Sequence, residues 1–163
     1  KEHLTSFGVP WNDPRLDVQF GDGIGYLNNY QGELYDVILI DGSDPVGPAE
    51  GLYASPFYAS AKRCLTPGGV VASQTESPIA MAEDFARIVK TLRTSFKRAW
   101  RYFVPIPLCP SGMWSFTLAS DSIDPLVFDE ARAQRIEQSA RYYNREIHRA
   151  AFAKPSFVRK LLA

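Results

Sequence analysis

The sequence predicts an α/β fold built on parallel strands. Three observations point there. Short apolar runs alternate with helix-patterned segments along the first hundred residues. Asp36–Ile40 (DVILI) is almost continuously apolar, as a strand covered on both faces should be. Each apolar run ends in glycine and polar residues, the pattern of strands that deliver loops to one sheet edge.

Each element has a local reason. Lys1–Ser6 reads as the last turns of a helix stopped by Gly8 and Pro10. Arg15–Phe20 (RLDVQF) alternates and predicts a strand. Ile24–Tyr30 is long enough for a short helix. Asp36–Ile40 is the second strand. Ser55–Leu65 predicts a helix, with Ser55 as N-cap and Pro56 at its first position. Thr66-Pro67-Gly68-Gly69 should break it. Val70–Gln74 is the third strand. From Pro78 to Phe96, residues Met81, Phe85, Ile88, Val89, Leu92 and Phe96 share one helical stripe. Ala99–Ile106 and Met113–Ser120 flank turn residues, including Pro110 and Gly112, and predict an antiparallel hairpin added to the sheet edge. From Asp129 the pattern is helical, broken near Tyr142-Tyr143-Asn144 and at Pro155. Crossovers between parallel strands should be right-handed.

Composition narrows the function. The chain has 163 residues, which suits a single domain spanning 1–163. Lys+Arg and Asp+Glu both number 18, so an electrostatic grip on nucleic acid is not the default reading. Aromatic content of 13% argues against a disordered, charge-driven chain. No apolar run approaches the roughly 20 residues a membrane helix needs. Two cysteines and two histidines lack metal-ligand spacing, so no metal is expected. The expectation is a reduced, cytoplasmic domain.

Ligands of open α/β sheets bind at the carboxyl ends of strands. There this sequence places Gly21-Asp22-Gly23, then Asp41-Gly42-Ser43-Asp44-Pro45, then Gln74. Residues 41–51 hold three acids, three glycines, two prolines and no base. A restrained acidic loop suits a cationic ligand. A phosphate would want a Gly-rich turn into a helix, and neither G-x-G-x-x-G nor G-x-x-x-x-G-K-[ST] occurs. The D-x-[DN]-x-[DN]-G spacing of a calcium loop is also absent.

These motifs resemble spermidine synthase, the polyamine aminopropyltransferase family. The family's D-x-S-D-P-x-G-P-x-x-x-L-[FY] run matches Asp41 through Tyr53. Its G-D-G matches Gly21–Gly23, preceded by Asp13-Pro14-Arg15-Leu16. The hairpin Pro110-Ser111-Gly112-Met113-Trp114 and the tail Tyr142 to Ala153 also match, so the resemblance covers nearly the whole chain.

The resemblance implies a Rossmann-like, methyltransferase-like, mostly parallel sheet. It implies transfer of an aminopropyl group from decarboxylated S-adenosylmethionine to putrescine or a related small cationic amine. The products are spermidine and 5′-methylthioadenosine. The donor is a co-substrate, so no resident cofactor is implied. By the same resemblance Asp41 is the proton acceptor, and Asp44, Gln74 and the position of Cys109 hold the amine. Asp22, Gly23 and Pro48 meet the donor. Burial of Asp41 beside Asp44 would raise its proton affinity toward that of the amine. The full-length form is implied to be a homodimer or homotetramer.

Two departures stand out. Cys109 replaces a tyrosine that orients the amine in the family, which opens the question of a longer amine or agmatine. The sequence also lacks the family's N-terminal β-rich segment and its first two strands. That predicts an incomplete domain with an exposed, apolar sheet edge. Two rivals carry other functions. A methyltransferase would share the fold and the sulfonium donor, but has less use for two acids on one loop. A non-catalytic paralogue would fit Cys109, but not the retained Asp22, Asp41, Asp44, Pro48 and Gln74.

Overall fold

The computed structural model describes residues 13–109 and 111–163. The predicted N-terminal helix turns at Lys1–Ser6, and Pro110 of the hairpin, lie outside the described residues.

Four strands form one sheet in the order β1 (Tyr35–Ile40), β2 (Leu65–Gln74), β4 (Met113–Ser120), β3 (Arg98–Pro105). β1 and β2 are parallel, while β4 is antiparallel to both β2 and β3. The helices are α1 (Gly23–Asn29), α2 (Ser55–Arg63), α3 (Ala82–Ser95), α4 (Glu130–Glu137), α5 (Arg145–Ala151) and α6 (Ser156–Leu161). A 3₁₀ segment, Gly47–Tyr53, follows the acidic loop.

The expected hairpin at the sheet edge is present. The sheet is mixed, with β1 and β2 parallel and the hairpin antiparallel, and Arg15–Phe20 contributes no strand to it. Its backbone has no ladder partner among the described residues, and Leu16, Val18 and Phe20 are exposed. Alternation alone cannot make a strand, since each strand needs a neighbour for its N–H and C=O groups.

Burial on β1 also differs from expectation. Val37 is 52% and Leu39 76% exposed, because β1 is an edge and one of its faces is uncovered. The expected exposed apolar edge is therefore present.

Two boundaries move. Ser55 is not an N-cap; it lies inside α2, and Ala54 occupies the cap without a side-chain bond. Thr66-Pro67-Gly68-Gly69 does not separate helix from strand. It lies within β2, where a bulge against β1 absorbs it: Tyr35 faces Leu65, but Val37 faces Val70. Gly69 is needed there, because a Cβ would lie 3.0 Å from the Tyr35 carbonyl oxygen.

α3 follows its stripe. Phe85, Ile88, Val89 and Leu92 are buried, and the chain leaves the helix at Phe96. Ile88 and Leu92 join Phe57, Tyr58, Ala61, Cys64 and Val71 in the main core. Cys64 is a small core residue there, as expected. Phe85 and Val89 meet Val158 of α6 in a second cluster. The tail breaks where predicted: Asn144 caps α5 and Pro155 precedes α6.

Two substitutions separate these environments. Ile88→Ala should cost about 2–5 kcal/mol of stability in urea denaturation, from lost burial plus a cavity. Leu39→Ser, on the uncovered face, should stay within about 0.5 kcal/mol.

Candidate functional site

β1 and β2 are parallel neighbours, so their carboxyl ends lie side by side and deliver Asp41 and Gln74 to one edge. The loop after β1 is then fixed from several directions. Val46 N–H donates to the Asp44 carbonyl at 2.7 Å. Gly47 takes φ +57°, which favours glycine, and leads into the 3₁₀ segment with Pro48 in its first turn. The buried Tyr53 hydroxyl returns to donate to the Ser43 carbonyl at 2.7 Å. Burial pushes the Tyr53 phenol up, reinforced by Glu76, Tyr58, Asp44 and Asp41 in that order. Tyr53 thus stays neutral and sits within the field of all three carboxylates.

Asp22 caps α1. Its two carboxylate oxygens accept from Ile24 N–H at 2.9 Å and Gly25 N–H at 3.1 Å. One cavity of about 390 Å³ reaches from Gly23 along β1 to Asp41 and Gly42, with Leu27, Leu52 and Phe57 as apolar wall. That volume lies in the small-ligand range. A neighbouring cavity of about 730 Å³ is lined by Asp22, Gly23 and Phe20. Gly23 belongs to both.

Asp44, Pro48, Gln74 and Cys109 do not line the smaller cavity. Asp44 and Pro48 are exposed on the loop. Cys109 is half-buried in the β3–β4 turn, where its N–H donates to the Ile106 carbonyl at 3.0 Å. Ser77 and Ser111 hydroxyls, 2.7 Å apart, tie that turn to the segment after β2.

Gln74 is buried and its amide is engaged internally. Its Nε2 donates to Glu76 Oε1 at 2.8 Å and reaches the Gly42 carbonyl at 3.5 Å. Its Oε1 accepts the Glu76 N–H at 2.6 Å. A carbonyl lone pair is what remains for a ligand.

Burial, expected at Asp41, falls elsewhere. Asp41 is exposed, because it lies past the end of an edge strand. The carboxyl that is buried is Glu76, at 0% exposure. Its backbone is left-handed at φ 65°, which turns the side chain inward. One oxygen, Oε2, is buried without a partner among the described residues. Burial pushes the Glu76 carboxyl up, opposed by the Gln74 hydrogen bond and reinforced by Asp44 and Asp84. Sequence reasoning stopped at Gln74. The remaining signal was the polar run Gln74-Thr75-Glu76-Ser77, continuing past the strand end. Among the described residues no group of three His, Cys, Asp or Glu is placed to hold a metal ion. No helix there is long and apolar enough to cross a membrane.

Comparison with known proteins bears on this arrangement. The spermine/spermidine synthase domain matches residues 1–130. A polyamine aminopropyltransferase of Thermoanaerobacter sp. (strain X514) is 36% identical over 161 residues, covering 99% of this chain and 57% of its own length. The Caldicellulosiruptor saccharolyticus polyamine aminopropyltransferase is 38% identical over 162 residues, again covering 99% and 57%. The chain thus spans somewhat over half the length of these curated relatives. A spermidine synthase solved in complex with the transition-state analogue AdoDATO superposes with a TM-score of 0.92 at 33% identity, covering 99% of this chain and 55% of that one. The Thermotoga maritima spermidine synthase gives 0.89 at 33% identity, covering 99% and 54%.

Glu76 generates a pH prediction. Its folded-state pKa is raised. Its contribution to stability is therefore full below the ordinary glutamate value and is lost as pH rises through the folded value. Glu76→Gln removes that loss and keeps an acceptor for Gln74. The melting temperature of Glu76→Gln minus that of the parent should be more positive at pH 8 than at pH 4. A difference independent of pH would contradict the burial argument.

Proposed function

This chain belongs to the spermine/spermidine synthase family, and from that premise we propose that it carries the amine-side catalytic half of a polyamine aminopropyltransferase. The reaction moves the aminopropyl group of decarboxylated S-adenosylmethionine to putrescine or a related amine. The observation that carries this reading is the single cavity joining Gly23 to Asp41 and Gly42. It puts the turn assigned to the donor and the acid assigned to the amine on one apolar trough.

The chemistry follows from charge. An amine with pKa near ~10 arrives as an ammonium with no lone pair. Asp41 takes one proton. The freed nitrogen attacks the carbon beside the sulfonium, a C–N bond forms, and the C–S bond breaks. The sulfonium charge is neutralised as 5′-methylthioadenosine leaves. The positive field of the donor lowers the amine's proton affinity and assists its loss to a carboxylate. Alignment of the two reactants supplies much of the rest, up to ~7–11 kcal/mol in well-oriented systems.

Other residues position the reactants. Asp44 anchors the amine from the exposed side of the loop. Gln74 offers its free carbonyl lone pair to an ammonium. Glu76 acts through Gln74: it holds the amide in one orientation and adds negative field beneath the site. Asp22 and Gly23 meet the adenine, and Pro48 packs on the nucleoside. The half-buried Cys109 leaves more room than a tyrosine, which favours an acceptor longer than putrescine.

The test is product formation from decarboxylated S-adenosylmethionine with putrescine, cadaverine, agmatine and spermidine in turn. Methylthioadenosine release is expected, and S-adenosylhomocysteine from S-adenosylmethionine would instead indicate methyl transfer. Asp41→Asn should lower kcat by about 10²–10⁴-fold, the usual worth of a positioned acid–base group. Turnover at the parent rate under saturating substrates would remove Asp41 from the mechanism. Cys109→Tyr should shift acceptor preference toward putrescine, seen as a change in the kcat/KM ratio.

A further inference from the structure

The edge of the sheet opposite β1 carries a second concentration of charge, of the other sign. A cavity of about 540 Å³ lies where β3, the end of α3 and α6 meet. Its charged lining is wholly basic: Arg93, Lys97, Arg98, Arg101, Lys154 and Arg159. Like charges gathered at one site repel, and natural surfaces usually intersperse acids among them. Here no described ion pair engages any of the six. Asp121, on the flank, is committed to Lys62 Nζ at 2.9 Å and to the Lys97 backbone N–H at 3.1 Å.

Beneath the cavity, two donors are buried without a partner among the described residues: Arg101 Nε and Trp100 Nε1. Arg101 is half-buried, and its remaining bond is from Nη1 to the Ala99 carbonyl at 2.7 Å. Burial and Arg93 hold the Arg101 guanidinium below its ordinary value. Burial, followed by Arg101, Arg159 and Arg93, does the same to the Lys154 ammonium. A multiply charged oxyanion answers that charge, since it neutralises the cations lining the cavity and accepts from their N–H groups.

We propose that this cavity is a binding site for a phosphate-bearing polyanion, separate from the amine and donor site. Strand order separates it from that site: Arg98 and Arg101 lie on β3, the sheet edge opposite β1, with β4 and β2 between them and Asp41. The cavity volume exceeds a single phosphate and accommodates a diphosphate or a small phosphate ester.

Titration calorimetry with inorganic pyrophosphate and, separately, ADP at matched ionic strength tests this. At least one should saturate at one site, and the pair distinguishes an inorganic ligand from a phosphate ester. Arg93 and Arg159 are exposed, so Arg93→Gln with Arg159→Gln should fold and weaken binding by about tenfold or more. Lys154→Gln should weaken it in the same direction. Asp41→Asn should leave the affinity unchanged. The proposal fails if neither probe saturates by millimolar concentration, or if the double variant binds like the parent. It also fails if Asp41→Asn changes the affinity, above all if it tightens binding by removing a carboxylate charge, which would place the anion in the other site.

Discussion

β4 lies between β2 and β3 and runs against both. Its pairing with β2 does not stop at the ladder. Ser115 N–H donates to the Glu76 carbonyl at 3.1 Å, and its hydroxyl lies within 3.0 Å of the Thr75 carbonyl and 2.6 Å of the Glu76 carbonyl. The Thr75 hydroxyl meets those of Ser115 and Thr117. All of these groups are buried. A buried polar row of this kind must be satisfied as a set, because each lost partner leaves a desolvated group behind. The row therefore fixes the backbone of residues 75–77, and with it two features of the site. Glu76 is held in a left-handed conformation, and Ser77 is placed to meet Ser111 of the hairpin turn.

That arrangement stores cost where the amine is proposed to bind. A non-glycine residue at positive φ and a carboxyl with one unpartnered buried oxygen are both unfavourable alone. They persist because the β2–β4 seam and the Gln74 amide over-determine them. A cation settling near Asp44 and Gln74 would lower the cost of an ionised Glu76. The protein's unfavourable burial term then becomes part of its selectivity for positive charge. A neutral ligand of the same shape would recover none of it.

The sequence made the helices legible because a 3.6-residue stripe reports burial directly. Phe85, Ile88, Val89 and Leu92 needed no tertiary information. Strands were harder. RLDVQF has the alternation of a strand and forms none, since pairing depends on a neighbour that residue pattern does not encode. DVILI forms a strand, yet its apolar run overstates its burial, because an apolar edge and an apolar interior read alike. Thr66-Pro67-Gly68-Gly69 has the composition of a turn and is taken up in a bulge. In the site, the strand-end rule brought Asp41 and Gln74 to one edge correctly. It could not tell which acid is buried. That depends on a single backbone angle at Glu76, set by serine and threonine hydroxyls some forty residues away in sequence.

Net charge was the least informative quantity in the sequence, and the structure shows why. The balance of 18 against 18 is an average over two unlike edges. Carboxylates gather beyond β1 and β2, while six basic side chains with no ion-pair partner among the described residues line a cavity beside β3. At physiological ionic strength screening acts over roughly 8 Å, so charges on opposite edges of a four-stranded sheet scarcely cancel through solvent. Each edge then presents its own sign to small ions, whatever the total. A cation at the β1 side and an anion at the β3 side meet separate fields. Any communication between them has to pass through packing. α3 spans both, since its stripe joins the main core to the cluster of Phe85, Val89 and Val158. Its last turn contributes Arg93 to the basic cavity.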